Sequence, residues 1–287
     1  MSRNRNRSGM SMEPPKPDHS TAPPQALQEQ EGFSFVVPTE FVELPSRGIF
    51  YPEDHPLHNQ AAIEIKQMTA KEEDILTSRT LLKKGIALDR MLESLIRNKR
   101  IHPQNLLIGD RNAILVAARV SGYGNDYSTV VSCPNCSTKQ KYTFDLNEAN
   151  VYQGEDLHEL EVINHEDGTF TTVLPKSKMN IRFKLLTGVE ERNMVDLSEK
   201  QRKRNKQDNL ITRQLKNLIV SVNDYDTAEA IDYVVENLPS MDSRHLRSAY
   251  KLAAPNIDLS QDFECDSCGH EQEMEVPLTA DFFWPDR

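Results

Sequence analysis

Three features of the sequence predict an α+β fold. Helical periodicity fills two blocks, roughly residues 69–121 and 187–252. Short alternating segments of strand character lie before, between and after those blocks. Two Cys-x-x-Cys pairs, Cys133-Pro134-Asn135-Cys136 and Cys265-Asp266-Ser267-Cys268, each sit between two such segments.

Residues 1–32 stand apart from the rest. They hold five prolines, six apolar residues and no aromatic residue, and Arg3, Arg5, Arg7 and Lys16 balance four acids. Such a segment buries too little surface to offset its ordering entropy. It reads as a disordered tail, solvated or ordered only on a partner. Residues 33–287 then form a single domain.

Residues 33–37 are apolar enough for a strand. Leu44-Pro45-Ser46-Arg47-Gly48 reads as a turn, and residues 62–65 as a short alternating strand. Thr69 and Glu72 have capping-box spacing, so a helix is expected from Thr69 to just before Gly85. Leu88, Met91, Leu92, Leu95 and Ile96 form the apolar face of a second helix, and Pro103 suits a first turn. Asp110 is expected to cap a third helix over residues 112–121, ended by Gly122 or Gly124. Strands follow at 128–132 and 141–145, then an acidic loop at 147–168, then strands at 169–174 and 181–185. Thr187 and Glu190 repeat the capping box. Residues 209–222 read as one helix with Leu210, Ile211, Leu215, Leu218, Ile219 and Val222 on one face. Asp226 with Glu229 opens a segment that ends at Leu238-Pro239. A last helix covers about residues 243–252 before Pro255, and strands at 259–264 and 271–276 close the chain.

The cysteines carry the chemistry. All four lie in the two pairs. Two residues between thiolates let a tight turn aim both sulfurs at one ion, and four thiolates complete a tetrahedron with bonds of about 2.3 Å to zinc. Cys133, Cys136, Cys265 and Cys268 are therefore expected to bind one structural Zn2+. The two hairpins, 126–147 and 258–279, would face each other as a zinc ribbon around a helical insertion, 148–257. The long separation of the pairs is tolerable because loop-closure entropy grows only logarithmically. Three rival readings stand beside this one. A dithiol redox pair wants a βαβ setting. Disulfides belong to oxidising compartments. Two incomplete sites would each need further ligands, and only His270 is well placed. With one shared site, His270 lies outside the ligand set.

Charge and composition narrow the function classes. The net charge is −10, from 34 basic and 44 acidic side chains. That argues against a general nucleic-acid coat. One basic run, Lys200-Gln201-Arg202-Lys203-Arg204-Asn205-Lys206, keeps a second function in play: a zinc-ribbon regulator that binds nucleic acid. No apolar run approaches the roughly 20 residues of a spanning helix. Residues 1–9 are basic but no apolar stretch follows, so no secretory signal is expected and synthesis is expected in the cytosol. The chain has neither G-x-S-x-G nor H-E-x-x-H, its histidines are scattered, and a hydrolase or redox enzyme is the third reading. Asp281-Phe282-Phe283-Trp284-Pro285 reads as an aromatic lid on the ribbon or core, or as an exposed anchor for a partner.

An ordered series of motifs adds a resemblance. It runs through Leu44-Pro45-Ser46-Arg47-Gly48-Ile49-Phe50-Tyr51-Pro52 and Met68-Thr69-Ala70-Lys71-Glu72-Glu73-Asp74-Ile75-Leu76. It continues in Leu107-Ile108-Gly109-Asp110-Arg111-Asn112-Ala113-Ile114-Leu115 and Ser121-Gly122-Tyr123-Gly124-Asn125-Asp126-Tyr127. Phe144-Asp145-Leu146, Val276-Pro277-Leu278 and residues 281–285 complete it. Over roughly residues 40–285 the chain resembles the T4-like bacteriophage baseplate protein family. The resemblance implies a non-enzymatic structural or assembly role, as a hub subunit or a hub assembly factor, with no catalytic residues. It implies other baseplate and hub proteins as partners, rather than a small molecule, a membrane or nucleic acid. It implies a location in the virion tail baseplate, or in the host cytoplasm during assembly. The zinc expectation rests on the cysteines alone.

Overall fold

In the computed structural model, residues 37–154, 157–203, 209–276 and 280–283 are described. The tail at 1–32, residues 33–36 of the first expected strand, Arg204-Asn205-Lys206, Pro277-Leu278 and Trp284-Pro285 lie outside the described residues. Val37 is irregular, and the first described strand is β1, Thr39–Glu43, paired antiparallel with β2, Ala62–Lys66.

The first helical block is more broken than its periodicity predicts. Helix α1, Ala70–Thr77, and α2, Arg79–Lys83, replace the single expected helix. Ser78 is extended between them, with ψ 108°. The Thr77 hydroxyl donates to the Glu73 carbonyl at 2.9 Å, the local competition that makes Thr and Ser poor helix-interior residues. Helix α3, Ala87–Leu95, then buries Met91, Leu92 and Leu95.

Helix α4, Ile108–Tyr123, is the centre of the molecule. Ala113, Ile114, Leu115, Val116 and Ala118 are all buried, so it presents apolar side chains around most of its girth. It ends at Gly124, whose φ of +81° suits glycine. Asp110 is not its cap. The helix starts earlier, after Leu107, and Asp110 occupies its first turn with no exposed surface. Its carboxylate accepts from the Ser46 amide at 3.0 Å, the Ser46 hydroxyl at 2.6 Å and the Tyr51 hydroxyl at 2.8 Å. The Leu107 amide donates back to the Tyr51 oxygen at 3.0 Å. An unpaired buried carboxylate is costly, so a helix start serves to pin the 44–51 turn. Gly48, at φ +75°, lets that turn close: a Cβ there would lie 2.2 Å from the Leu57 carbonyl oxygen.

After α4 the chain forms β3, Asp126–Ser132, and β4, Lys139–Asp145, an antiparallel hairpin. The expected loop at 147–168 contains β5, Asn150–Tyr152, and β6, Ile163–Asn164. Strands of two or three residues offer no alternation to read, and the partner of β5 is the distant β10, Asn256–Asp258. With β7, Thr169–Val173, β8, Asn180–Lys184, and β9, Ile219–Val222, strand β6 forms an antiparallel sheet in the order β6-β7-β8-β9.

Helix α5, Gly188–Lys203, opens at the expected Thr187, whose amide donates to Glu190 at 3.0 Å and whose hydroxyl accepts the Val189 amide at 3.3 Å. The expected helix over 209–222 stops early. Helix α6 covers Leu210–Leu218, and Ile219-Val220-Ser221-Val222 continues as β9 on the edge of β8. Three β-branched residues in four favour a strand once an unpaired edge is available. Leu210 and Ile211, placed on the buried face by periodicity, are half-exposed. Helix α7, Ala228–Asn237, is capped by Thr227, one residue beyond the expected Asp226. Helix α8, Ser240–Ala253, begins three residues before its expected start. Its buried Asp242 accepts the Lys176 and Ser177 amides, at 2.7 and 2.9 Å, and so holds the β7–β8 turn. Strands β11, Ser260–Glu264, and β12, Glu271–Glu275, form the last hairpin.

Gly109 is where α4 meets β10. A Cβ there would fall 1.9 Å from the Pro255 carbonyl oxygen and 2.8 Å from the Asn256 Cα, both backbone atoms. Gly109→Ala should therefore cost about 3 kcal/mol or more, measured by urea unfolding, because no side chain can swing aside.

The two capping boxes generate a pH prediction. The Thr69 and Thr187 amides each donate to the glutamate three residues on, at 3.0 Å. Burial favours the neutral form of Glu72. Bonds from Ser94 and Thr69, with Lys66 nearby, outweigh it. At Glu190, burial is outweighed by Lys184 and Thr187. Both carboxylates therefore titrate below the usual glutamate range. Their stabilisation is present above about pH 4.3, the unfolded value, and is lost as pH falls through the lower folded values. Thr69→Ala with Thr187→Ala should cost about 1 kcal/mol per site at pH 7. The loss of stability between pH 5 and pH 3 should be shallower in the double variant than in the parent.

Candidate metal centre

The two cysteine hairpins are built alike. In each, the amide of the first cysteine bonds to the carbonyl five residues on: Cys133 to Thr138 at 2.9 Å, and Cys265 to His270 at 3.0 Å. In each, the amide four residues on bonds back to the first cysteine: Ser137 to Cys133 at 2.8 Å, and Gly269 to Cys265 at 2.9 Å. Ser137 and Gly269 both adopt positive φ, 59° and 64°, which turns the chain sharply after the second cysteine. Cys133 and Cys265 are buried, and Cys136 and Cys268 are exposed.

The fold brings both pairs to one point. Cys133 Sγ lies 3.8 Å from Cys268 Sγ, and Cys136 Sγ lies 3.7 Å from Cys265 Sγ. All four sulfurs lie within 4.8 Å of one another, and none is in a disulfide. A tetrahedron with metal–sulfur bonds of about 2.3 Å has edges of about 3.8 Å, so the spacing fits one ion shared by four thiolates. His270 is not in the group: its Nε2 faces Gln272 Oε1 at 3.4 Å.

Side chains, rather than a continuous sheet, join the hairpins. Gln140 Nε2 donates to the Glu264 carbonyl at 2.9 Å, and its oxygen accepts the Asp266 amide at 3.0 Å. Gln261 does the same in reverse, donating to the Asp145 carbonyl at 2.6 Å and accepting the Asp145 amide at 3.0 Å. The Tyr142 hydroxyl donates to the Asp262 carbonyl at 2.6 Å. Beneath them Tyr142 meets Phe144 and Phe263 edge to face, with ring centres 4.9 and 5.3 Å apart. Phe282 packs on Tyr127 at 5.1 Å, and Phe282 and Phe283 are buried, so the described part of the aromatic ending forms the lid. Arg119, fully buried on α4, donates to the Phe282 carbonyl at 2.9 Å, the Gly124 carbonyl at 2.7 Å and the Asp126 carbonyl at 3.0 Å. The glutamines are the functional residues that sequence reading missed. Their signal was parity: Gln140 shares an inward register with Tyr142 and Phe144, and Gln261 with Phe263.

A closed set of four thiolates leaves no coordination position for a substrate. That is the donor set of a structural centre rather than a catalytic one. The chain belongs to the family described as T4 bacteriophage base plate protein, which it matches over residues 40–284. Membership assigns it to a structural, non-enzymatic class of phage protein. No curated protein and no solved structure matches it. No helix of the described residues is long and apolar enough to cross a membrane.

The thiols differ in readiness. Hydrogen bonding to Thr138, whose hydroxyl lies 3.3 Å from Cys136 Sγ, holds the Cys136 thiol down at about 6. Burial pushes the Cys265 thiol up to about 11. Metal binding must displace the protons that remain, so affinity rises with pH. Titration of the reduced protein with Co2+ should saturate at one ion per chain. The apparent affinity should fall from pH 8 to pH 6, as read from the thiolate-to-cobalt absorption band.

Proposed function

We propose that this protein is a component of the hub of a contractile phage tail base plate, as a built-in subunit or as a factor that assembles the hub. We further propose that it is held in shape by one zinc ion on Cys133, Cys136, Cys265 and Cys268. The observation that carries the metal assignment is the convergence of four thiol sulfurs within 4.8 Å from pairs far apart in sequence. Family membership over residues 40–284 carries the base plate role. Zinc suits the centre because it accepts four thiolates without redox chemistry, and its binding free energy becomes folding free energy. Residues 126–147 and 258–279 act as one ribbon unit, and the ion ties together the ends of the insertion at 148–257. In this reading residues 33–287 make up a single base plate domain. The partners are other base plate and hub proteins, and the working location is the virion tail or the host cytoplasm during assembly.

Two measurements test these readings separately. Elemental analysis of protein purified without added metal should find one zinc per chain. Cys133→Ser should release it and lower the melting temperature by 10 °C or more, on the order of the several kcal/mol that structural zinc supplies. An unchanged melting curve would count against the metal reading. For the hub, mass spectrometry of purified virions should find the chain at a few copies per particle if it is a subunit. If it is an assembly factor, the chain should be absent from virions and abundant in infected cells. Absence from both virions and assembly intermediates would overturn the hub reading.

A further inference from the structure

Strand β1 leaves one edge open. Its inner edge is fixed by β2: Glu40 and Val42 stand opposite Ile65 and Ile63. The same ladder is closed at its ends by bonds from the Leu44 amide to the Ala61 carbonyl at 2.8 Å and from the Gln67 amide to the Pro38 carbonyl at 2.9 Å. In an antiparallel ladder alternate residues bond to one neighbour, so the amides and carbonyls of Thr39, Phe41 and Glu43 point away from β2. No hydrogen bond reaches them among the described residues. In their middle stands Phe41, whose side chain is 74% exposed. Other edges are filled or guarded. On the far side of β2 the Arg97 amide donates to the Glu64 carbonyl at 3.2 Å. Gln140 and Tyr142 take the outer carbonyls of β11, and β12 carries Glu271, Glu273 and Glu275 along its outer edge. Strand β3 is also open at Ser128, Val130 and Ser132, but the side chains there are small and none is aromatic.

We infer that β1 pairs antiparallel with β1 of a second copy of this chain, about a two-fold axis at Phe41. An open edge is completed by a strand, since another backbone matches its alternating donors and acceptors. The residues of β1 are complementary to themselves in one register. With Phe41 on Phe41, Thr39 meets Glu43 of the other copy and Glu40 meets its Val42. All three outward pairs then exchange both backbone bonds. No acid faces an acid, and the two exposed rings lie side by side. The neighbouring two-fold registers fail. An axis at Glu40 sets carboxylate against carboxylate in the closer kind of pair, about 4.5 Å between Cα atoms, and leaves Glu43 unpaired. An axis at Val42 carries the pairing into Pro45, which has no amide to donate. A two-fold pair uses up the edge, so association stops at two. The pairing rests on neither the hub reading nor the metal.

Sedimentation velocity of the full chain over a concentration series tests this. The seam is short, so the mass should climb with concentration from 32.8 kDa toward twice that value. Phe41→Lys should hold it at the mass of one chain with the melting temperature unchanged. The new lysine stands across from Glu64 within the chain but against its own like in the dimer. Val130→Glu, set across from Lys141 beside the other open edge, should leave the dimer intact. Crosslinking reads the register. Cα atoms of a bonded pair, about 5.5 Å apart, suit a disulfide, so Phe41→Cys should give a covalent dimer on mild oxidation and Glu40→Cys should not. A mass of one chain at every concentration would overturn the inference. So would a dimer that survives Phe41→Lys or is lost with Val130→Glu, or crosslinking through Glu40→Cys in place of Phe41→Cys.

Discussion

Asp110 has no exposed surface, and three hydrogen bonds from Ser46 and Tyr51 converge on its carboxylate. Burial raises its pKa, while those bonds and its place in the first turn of α4 favour the charge. Tyr51 remains a neutral donor, since burial beside Asp110 raises its own pKa further still. The cluster joins two segments more than fifty residues apart and sets where α4 begins. Its neighbours on the helix extend the effect. Gly109 sets the approach of β10, and Arg111 reaches Asp89 of α3 and Glu191 of α5 at 2.8 Å each. Nine residues later Arg119 gathers three carbonyls at the other end. One central helix thus fixes the N-terminal turn, the second helical block, the start of the ribbon and the lid. A buried polar group left unpaired costs about 1–3 kcal/mol or more, so each link also discriminates against other arrangements.

The four-cysteine cluster sits at the end of that framework. Cysteine turns on separate hairpins could in principle point anywhere. They converge because Gln140 and Gln261 bind each other's hairpin through the backbone, and because the aromatic layer beneath makes the two inner faces one surface. An ion on the sulfurs would add to an arrangement the polypeptide already makes. This division of labour suits a structural base plate protein.

Much of this was legible in the sequence because local physics dictates it. The Cys-x-x-Cys turns, the Thr-x-x-Glu caps, the apolar face of α3 and Gly124 as a terminator each depend on neighbours a few residues away. The misreadings share a cause. Asp110 has the composition of an N-cap, yet its partners are Ser46 and Tyr51. Residues 219–222 continue a helical period, yet the free edge of β8 turns them into a strand. Strand β5 is too short to show a pattern without β10. Within α1 and α2, Thr77 offered a local signal, the hydroxyl competing for backbone, that the capping box overshadowed.

The sequence by itself determined the α+β class, the identity of the four thiols and the acidic, non-spanning character of the chain. These follow from composition and from spacings shorter than one turn or one hairpin. Only the tertiary structure decided that the two cysteine pairs share one point and that Asp110 and Arg119 are buried anchors. Those outcomes depend on contacts between residues tens to more than a hundred positions apart. Such contacts are set by which buried polar groups find partners, and local spacing carries no record of that.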